Sequence, residues 1–302
     1  MRDELGTDIL KDVSRSFYLT LRLLPREMRE GASLGYLLAR TSDTIADTEG
    51  VTTEVRLRLL MDYAASVSRD LPLPAWPEAM MAGAAQGEAR LLARAPEILD
   101  WLSRIDERQA ELIREVVATI IGGQLLDLRR FAAADADHPV ALPDAAALDD
   151  YTWCVAGCVG AFWTKLGFLT MGGSFSMAEP EDLLRKGIDY GKGLQLVNIL
   201  RDLPRDLAAG RCYLPVNDPS DRDALMECFG NWKDRASVLV AAGLEYADAL
   251  DRRRLRAASV LPALLAEETL ERLRGVSWQD LQTRIKVPRS RVYALMLRSL
   301  IW

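Results

Sequence analysis

The stretch LVAAGLEYADAL, residues 239–250, sets Val240, Leu244, Ala247 and Leu250 three and four positions apart. That interval places apolar side chains on one face of an α-helix and on neither face of a strand. The same interval recurs outward along the chain, as in LLDLRRF (125–131), and no sustained alternation of β-branched residues interrupts it. An all-α fold of roughly ten helices is therefore predicted. Helix breaks are predicted at 70–78, 132–146, 172–181 and 210–221 and near Pro288, where Gly, Pro, Asp and Ser gather. In SMAEPED (176–182) Ser176 reads as an N-cap, with acidic residues in the first turn.

The chain has 302 residues with no Ser/Gly-rich or charged linker, so one domain over 1–302 is expected. Its net charge of −6 argues against general nucleic-acid binding, which needs a basic surface. No apolar run reaches the roughly 18 residues of a membrane span. The opening MRDELGTDILKDVSRSF lacks a signal-peptide core. A cytoplasmic protein is expected. Cys154, Cys158, Cys212 and Cys228 read as reduced thiols packed like small hydrophobes. Cys154 and Cys158 stand one turn apart, but a zinc site would need two further ligands, and His138, the single histidine, sits in a predicted loop. One histidine also argues against a Ser-His-Asp arrangement.

Within YLLARTSDTIAD (36–47), Asp43 and Asp47 are four residues apart and share a helix face with Tyr36 and Arg40. Two carboxylates this close repel unless a cation lies between them, and oxygen donors of this kind suit Mg²⁺ or Mn²⁺. A solvated acidic face is the simpler alternative for this pair alone. A second stripe, Gln195, Asn198, Asp202 and Asp206, follows offsets of 3, 7 and 11 and puts amides and acids where a core helix carries leucine, with Arg201 beside it. Opposed across a bundle, the two faces would offer four carboxylates for metal and two arginines for phosphate oxygens, which matches a diphosphate with its metal. In YTWCVAGCVGAFW (151–163), Ala156, Gly157, Gly160 and Ala161 leave one side bare, among Tyr151, Trp153, Phe162 and Trp163. Close helix packing and room for a long apolar chain beside an aromatic wall are both compatible with that pattern.

Four ordered segments, SRSF (14–17), YLLARTSDTIAD, YTWCVAGCVG (151–160) and QLVNILRDLPRDLAAGRCYLP (195–215), resemble the squalene and phytoene synthase family, the head-to-head trans-prenyltransferases, over about residues 13–300. The resemblance implies a helical bundle of the isoprenoid synthase type with a central cavity. It implies metal-linked Asp43, Asp47, Asp202 and Asp206, with Arg40, Gln195, Asn198 and Arg201 toward diphosphate or metal-bound water. Ser14, Arg15 and Ser16 would reach a diphosphate from the first helix, Phe17 and Tyr36 would line the cavity, and Tyr151 would stabilise or deprotonate intermediates. The implied reaction ionises one prenyl diphosphate, joins it to a second to give a cyclopropylcarbinyl diphosphate, then ionises and rearranges that product.

Pro262, Ala266, Thr269 and Leu270 are similar to the squalene synthase branch, and TRIKVPR (283–289) resembles its basic NADPH loop, with Arg284 and Lys286 in the phosphate-contacting places. The resemblance thus implies joining of two farnesyl diphosphates and NADPH-dependent reduction to squalene. Dehydrosqualene, phytoene and presqualene diphosphate synthases are the alternatives without that reduction, and a non-catalytic helical scaffold is the alternative outside catalysis. Two positions depart from the family pattern. Arg205, after Pro204, replaces the usual Glu before Asp206, and Asp8 stands where squalene synthases offer a lysine, with Lys11 about a turn away. The proline is expected to bend the helix at Asp206. Substrates this apolar imply peripheral contact with a membrane face.

Overall fold

A computed structural model describes residues 8–14, 17–69, 71–283 and 285–302. Arg15, Ser16 and Arg284, and the side chain of Phe17, lie outside the described residues. Fifteen α-helical segments are present among them. In chain order they are α1 (Leu10–Ser14), α2 (Phe17–Leu23), α3 (Arg26–Asp47), α4 (Thr53–Arg69), α5 (Glu78–Gly83), α6 (Gln86–Ala93), α7 (Ala95–Leu102), α8 (Glu107–Arg130), α9 (Ala145–Thr152), α10 (Cys158–Met171), α11 (Pro180–Ala208), α12 (Arg222–Asp248), α13 (Arg253–Arg272), α14 (Trp278–Gln282) and α15 (Arg289–Leu300). The all-α expectation holds. Segments exceed the expected ten in part because 78–102 is divided into three short helices, with Pro77 before α5 and Pro96 in the first turn of α7.

The described residues form two compact units. In the first, residues up to Arg130 with Lys165–Gly172, α3 packs on α4, α7 and α8. Met28, Leu34, Leu37, Leu38 and Ile45 of α3 are buried, as the three-four spacing requires. Its buried hydroxyls are satisfied locally: Thr41 Oγ1 donates to the Leu37 carbonyl (2.9 Å) and Thr44 Oγ1 to that of Arg40 (3.0 Å). Tyr63 Oη reaches the Leu38 carbonyl at 3.1 Å. The Tyr63 bond crosses from α4 to α3, whereas the two threonine bonds stay within α3.

In the second unit, Phe131–Thr164 with Gly173–Trp302, α11 packs on α12, and α13 on α12 and α15. The small residues of 151–163 settle which reading applies. A Cβ on Gly160 would stand 1.9 Å from the Gly187 carbonyl oxygen, and one on Gly191 2.3 Å from that of Ala156. The bare side is therefore filled by the α11 backbone, and close helix packing is the arrangement found. A π-helical turn, Trp153–Gly157, joins α9 to α10 at this approach.

Two further expectations are corrected, and a short ladder is added. Ser176 does not cap α11, whose N-cap is Glu179; its hydroxyl donates to the Ala249 carbonyl (2.6 Å) and accepts from Ala178 N (3.0 Å), closing the preceding turn. Two residues on each side form a parallel ladder, β1 (Val140–Ala141) with β2 (Arg211–Cys212), inside two of the predicted breaks. Finally, the continuous run Ala145–Ser174 is long and apolar enough, by length and composition, to cross a membrane. The search for an apolar run missed it because Lys165 and several Gly and Thr residues dilute the segment. Residues of this run are nonetheless packed in protein: Cys158, Ala161 and Phe162 are buried, and Lys165 pairs with Glu115 at 2.7 Å.

All four cysteines carry free thiols, and burial pushes that of Cys212 up to about 11, so it behaves as a packed hydrophobe.

Candidate functional site

The first polar face is a continuation of the α3 stripe. Tyr36 donates to the Val13 carbonyl at 3.1 Å, which ties α1 to α3. Arg40 bridges two acids: one guanidinium nitrogen bonds Glu88 of α6, and the other lies 3.6 Å from Asp43. Gln124 of α8 donates through Nε2 to Asp43 Oδ1 at 2.7 Å. Asp43 is closely surrounded by protein yet keeps 41% of its side chain accessible, so it lies low in a surface that solvent still reaches. Desolvation there, with the neighbouring Asp47 charge, pushes its pKa up to about 6 against the pull of Arg40 and Gln124. Asp47 itself is exposed.

The second polar face belongs to α11. Arg201 makes a two-pronged pair with Asp202, Nε to Oδ1 at 2.9 Å and a terminal nitrogen to Oδ2 at 2.6 Å. Asn198 Nδ2 approaches Gln195 Oε1 at 3.4 Å one turn earlier. Asp206 keeps 13% of its side chain accessible and lies 3.7 Å from Arg211. Burial pushes its pKa up to about 6 although Arg211 and Arg205 oppose the shift. Pro204 does not break α11, which runs on to Ala208 with Leu203 and Leu207 buried. Tyr151 stacks on Tyr213 (centroids 4.6 Å, 22° between planes), and Tyr213 meets Phe131 edge-on at 5.3 Å.

Each predicted group is thus gathered within its own unit: Tyr36, Arg40, Asp43 and Asp47 in the first, and Tyr151, Gln195, Asn198, Arg201, Asp202 and Asp206 in the second. Ser14 is buried and its hydroxyl is spent on the Leu10 carbonyl. Lys286 is exposed, and Arg15, Ser16, Arg284 and the side chain of Phe17 lie outside what is described. Sequence reasoning missed Glu88, Gln124 and Arg211, because their partners stand 48, 81 and 5 positions away and no local pattern announces them.

Each face by itself offers oxygen donors that fit a hard divalent cation, and on each of them burial raises the pKa of one carboxyl, Asp43 on the first and Asp206 on the second. No three acidic, histidine or cysteine side chains cluster as a ready-made metal cage among the described residues. Mg²⁺ suits such a site, since it takes one or two carboxylates and fills the rest of its octahedron with water and phosphate oxygens. Gln124 Oε1 and Arg40 Nε are buried without a partner among the described residues, which leaves an acceptor and a donor for the ligand shell. Gln124→Leu is expected to weaken divalent-ion affinity about tenfold, measured by Mn²⁺ titration, because Asp43 loses the bond that orients it.

A family profile described as squalene/phytoene synthase matches residues 10–291. A presqualene diphosphate synthase from Zymomonas mobilis is 31% identical over 202 residues, covering 67% of this chain and 56% of the relative. A squalene synthase from Botryococcus braunii is 26% identical over 280 residues, covering 87% of this chain and 57% of the relative. The chain thus spans just over half the length of these curated relatives. Among solved structures, TcSQS in complex with a ligand superposes with a TM-score of 0.78 at 23% identity, covering 98% of this chain and 85% of that one, which shows a shared fold.

Proposed function

The chain belongs to the squalene/phytoene synthase family, and from that premise we propose that it joins two farnesyl diphosphates head to head through presqualene diphosphate and reduces the product to squalene with NADPH. The observation that carries the reading is the pair of DxxxD faces, each with one carboxyl raised to about 6 and arginine beside it.

Asp43 and Asp47 on α3, and Asp202, Asp206 and Asn198 on α11, hold the divalent ions of this reaction. When bound, Mg²⁺ or Mn²⁺ supplies positive charge to the departing diphosphate. Arg40 and Arg201 leave their carboxylate partners to bind diphosphate oxygens, which their planar donor forks suit. Gln195 and Asn198 orient water in the same shell. Ser14, Arg15 and Ser16 serve a diphosphate, Phe17 and Tyr36 face the hydrocarbon, and Arg284 and Lys286 hold the NADPH phosphates. Tyr151 stabilises the allylic cation with its ring or takes the proton lost on cyclopropane formation; its stacking on Tyr213 supports a fixed orientation. Tyr151→Phe is expected to slow formation of presqualene diphosphate about a hundredfold or more, read in single-turnover experiments, with the substrate KM little changed.

A second reading, that the reaction stops at presqualene diphosphate, is favoured by the Zymomonas mobilis relative of that name and by Asp8 in place of the family's NADPH lysine. Incubation with farnesyl diphosphate and Mg²⁺, with and without NADPH, separates the two. Squalene formed only with NADPH supports the first reading, and presqualene diphosphate accumulating in both supports the second. Dehydrosqualene without NADPH, or a requirement for geranylgeranyl diphosphate, would move the chain to the carotenoid-forming branch.

A further inference from the structure

Arg40 and Asp43 stand three positions apart on α3, an interval at which an arginine and an acid meet on one helix face. An arginine beside a carboxylate can close on it with two bonds, as Arg201 does on Asp202, and both oxygens are then taken. Asp43 stays open. Its Oδ1 accepts from Gln124 at 2.7 Å, its Oδ2 lies 3.6 Å from Arg40, longer than a hydrogen bond, and 41% of the side chain is accessible. What draws Arg40 aside lies on α6, which packs on α3. Glu88 Oε1 accepts from a terminal nitrogen of Arg40 in a much closer contact than the one to Asp43. Glu88 Oε2 accepts from Ala85 N at 3.3 Å, which ties the carboxylate to the first turn of its own helix and keeps it from following Arg40 toward Asp43.

We propose that Glu88 is a positioning residue for the divalent ion: by holding Arg40 to α6 it keeps Asp43 Oδ2 open for the metal. This role rests on the metal-binding role of Asp43 proposed above. A guanidinium and a divalent cation compete for the same carboxylate oxygens, so an acid that occupies the first leaves the carboxylate to the second. Glu88 acts through Arg40 and not on the ion. Its two oxygens are engaged by Arg40 and Ala85, and it forms no three-acid cage with Asp43 and Asp47 among the described residues. Arg40 keeps a donor while it is held, because its Nε is buried without a partner among the described residues and remains for a phosphate oxygen.

The test is titration of the full chain with Mn²⁺ alone, without diphosphate, with the free ion followed by its electron paramagnetic resonance. Glu88→Gln keeps an oxygen for Ala85 N but loses the charge that holds Arg40. It is expected to weaken Mn²⁺ binding about tenfold, the low end for a group that orients the surroundings of a metal ligand. In an Arg40→Gln background the same substitution is expected to change nothing, since no guanidinium remains to close on Asp43. Undiminished affinity in Glu88→Gln would overturn the proposal. So would a loss that persists in the Arg40→Gln background, because Glu88 would then act by its own charge or through the fold of α6. A wild type that binds no Mn²⁺ would remove the metal from Asp43 and the role of Glu88 with it, whereas wild-type binding unaffected by Glu88→Gln strikes Glu88 alone.

Discussion

Asp43→Asn is expected to lower turnover in the proposed reaction about 10²–10³-fold, the usual cost of removing one group aimed at developing charge, while the helical circular dichroism stays at wild-type level. Asp202→Asn should do the same. The first substitution keeps the side-chain shape and an oxygen that can still accept from Gln124, so the loss isolates the negative charge. Turnover at the wild-type rate in either variant would remove the carboxylates from metal binding.

Stability should move the other way. The folded-state pKa of Asp43 and of Asp206 is raised from 3.8 to about 6, so the native state binds more protons than the unfolded chain between about pH 4 and 6. Their contribution to stability is therefore fully present below about 4 and lost as pH rises through 6. At pH 7, without metal, both ionised groups are a net cost, moderated at Asp43 by its 41% solvent access. Asp43→Asn in a chelating buffer at pH 7 is accordingly expected to raise Tm by roughly a few degrees. Mg²⁺ should raise Tm of the wild type more than of the variant, because ligand that binds only the folded state stabilises in proportion to its affinity. Activity lost while stability is gained is the behaviour of a functional charge, and a purely structural carboxylate would give the reverse.

The second large effect concerns the helix approach in the second unit. Gly160→Ala is expected to destabilise the protein by at least about 2 kcal/mol, even after the roughly 1 kcal/mol that alanine gains over glycine inside a helix. The added methyl would lie 1.9 Å from the Gly187 carbonyl oxygen, and neither backbone can yield without parting α10 from α11. Gly230→Ala on α12 is the control, since a Cβ there meets nothing within 4 Å; it should be neutral or stabilising by up to about 1 kcal/mol. Comparison of the two variants by thermal or denaturant unfolding checks the assignment. Equal stability of both would mean that the small residues of 151–163 leave open space instead of admitting a helix.

The helical class could be read from LVAAGLEYADAL and its like, because burying a stripe demands an apolar residue every three or four positions and that demand is local. The two aspartate motifs were legible for the same reason: offsets of four put carboxylates on one face whatever the surroundings. Tertiary structure alone decided what those carboxylates touch. Gln124 reaches Asp43 across 81 residues and Glu88 reaches Arg40 across 48, and such contacts depend on which helices pack together. It also decided that Gly160 and Ala156 admit the α11 backbone and that Ser176 closes a turn instead of capping a helix. Sequence periodicity states which side of a helix turns inward; what that side meets is set by steric fit between distant segments, which no single segment encodes.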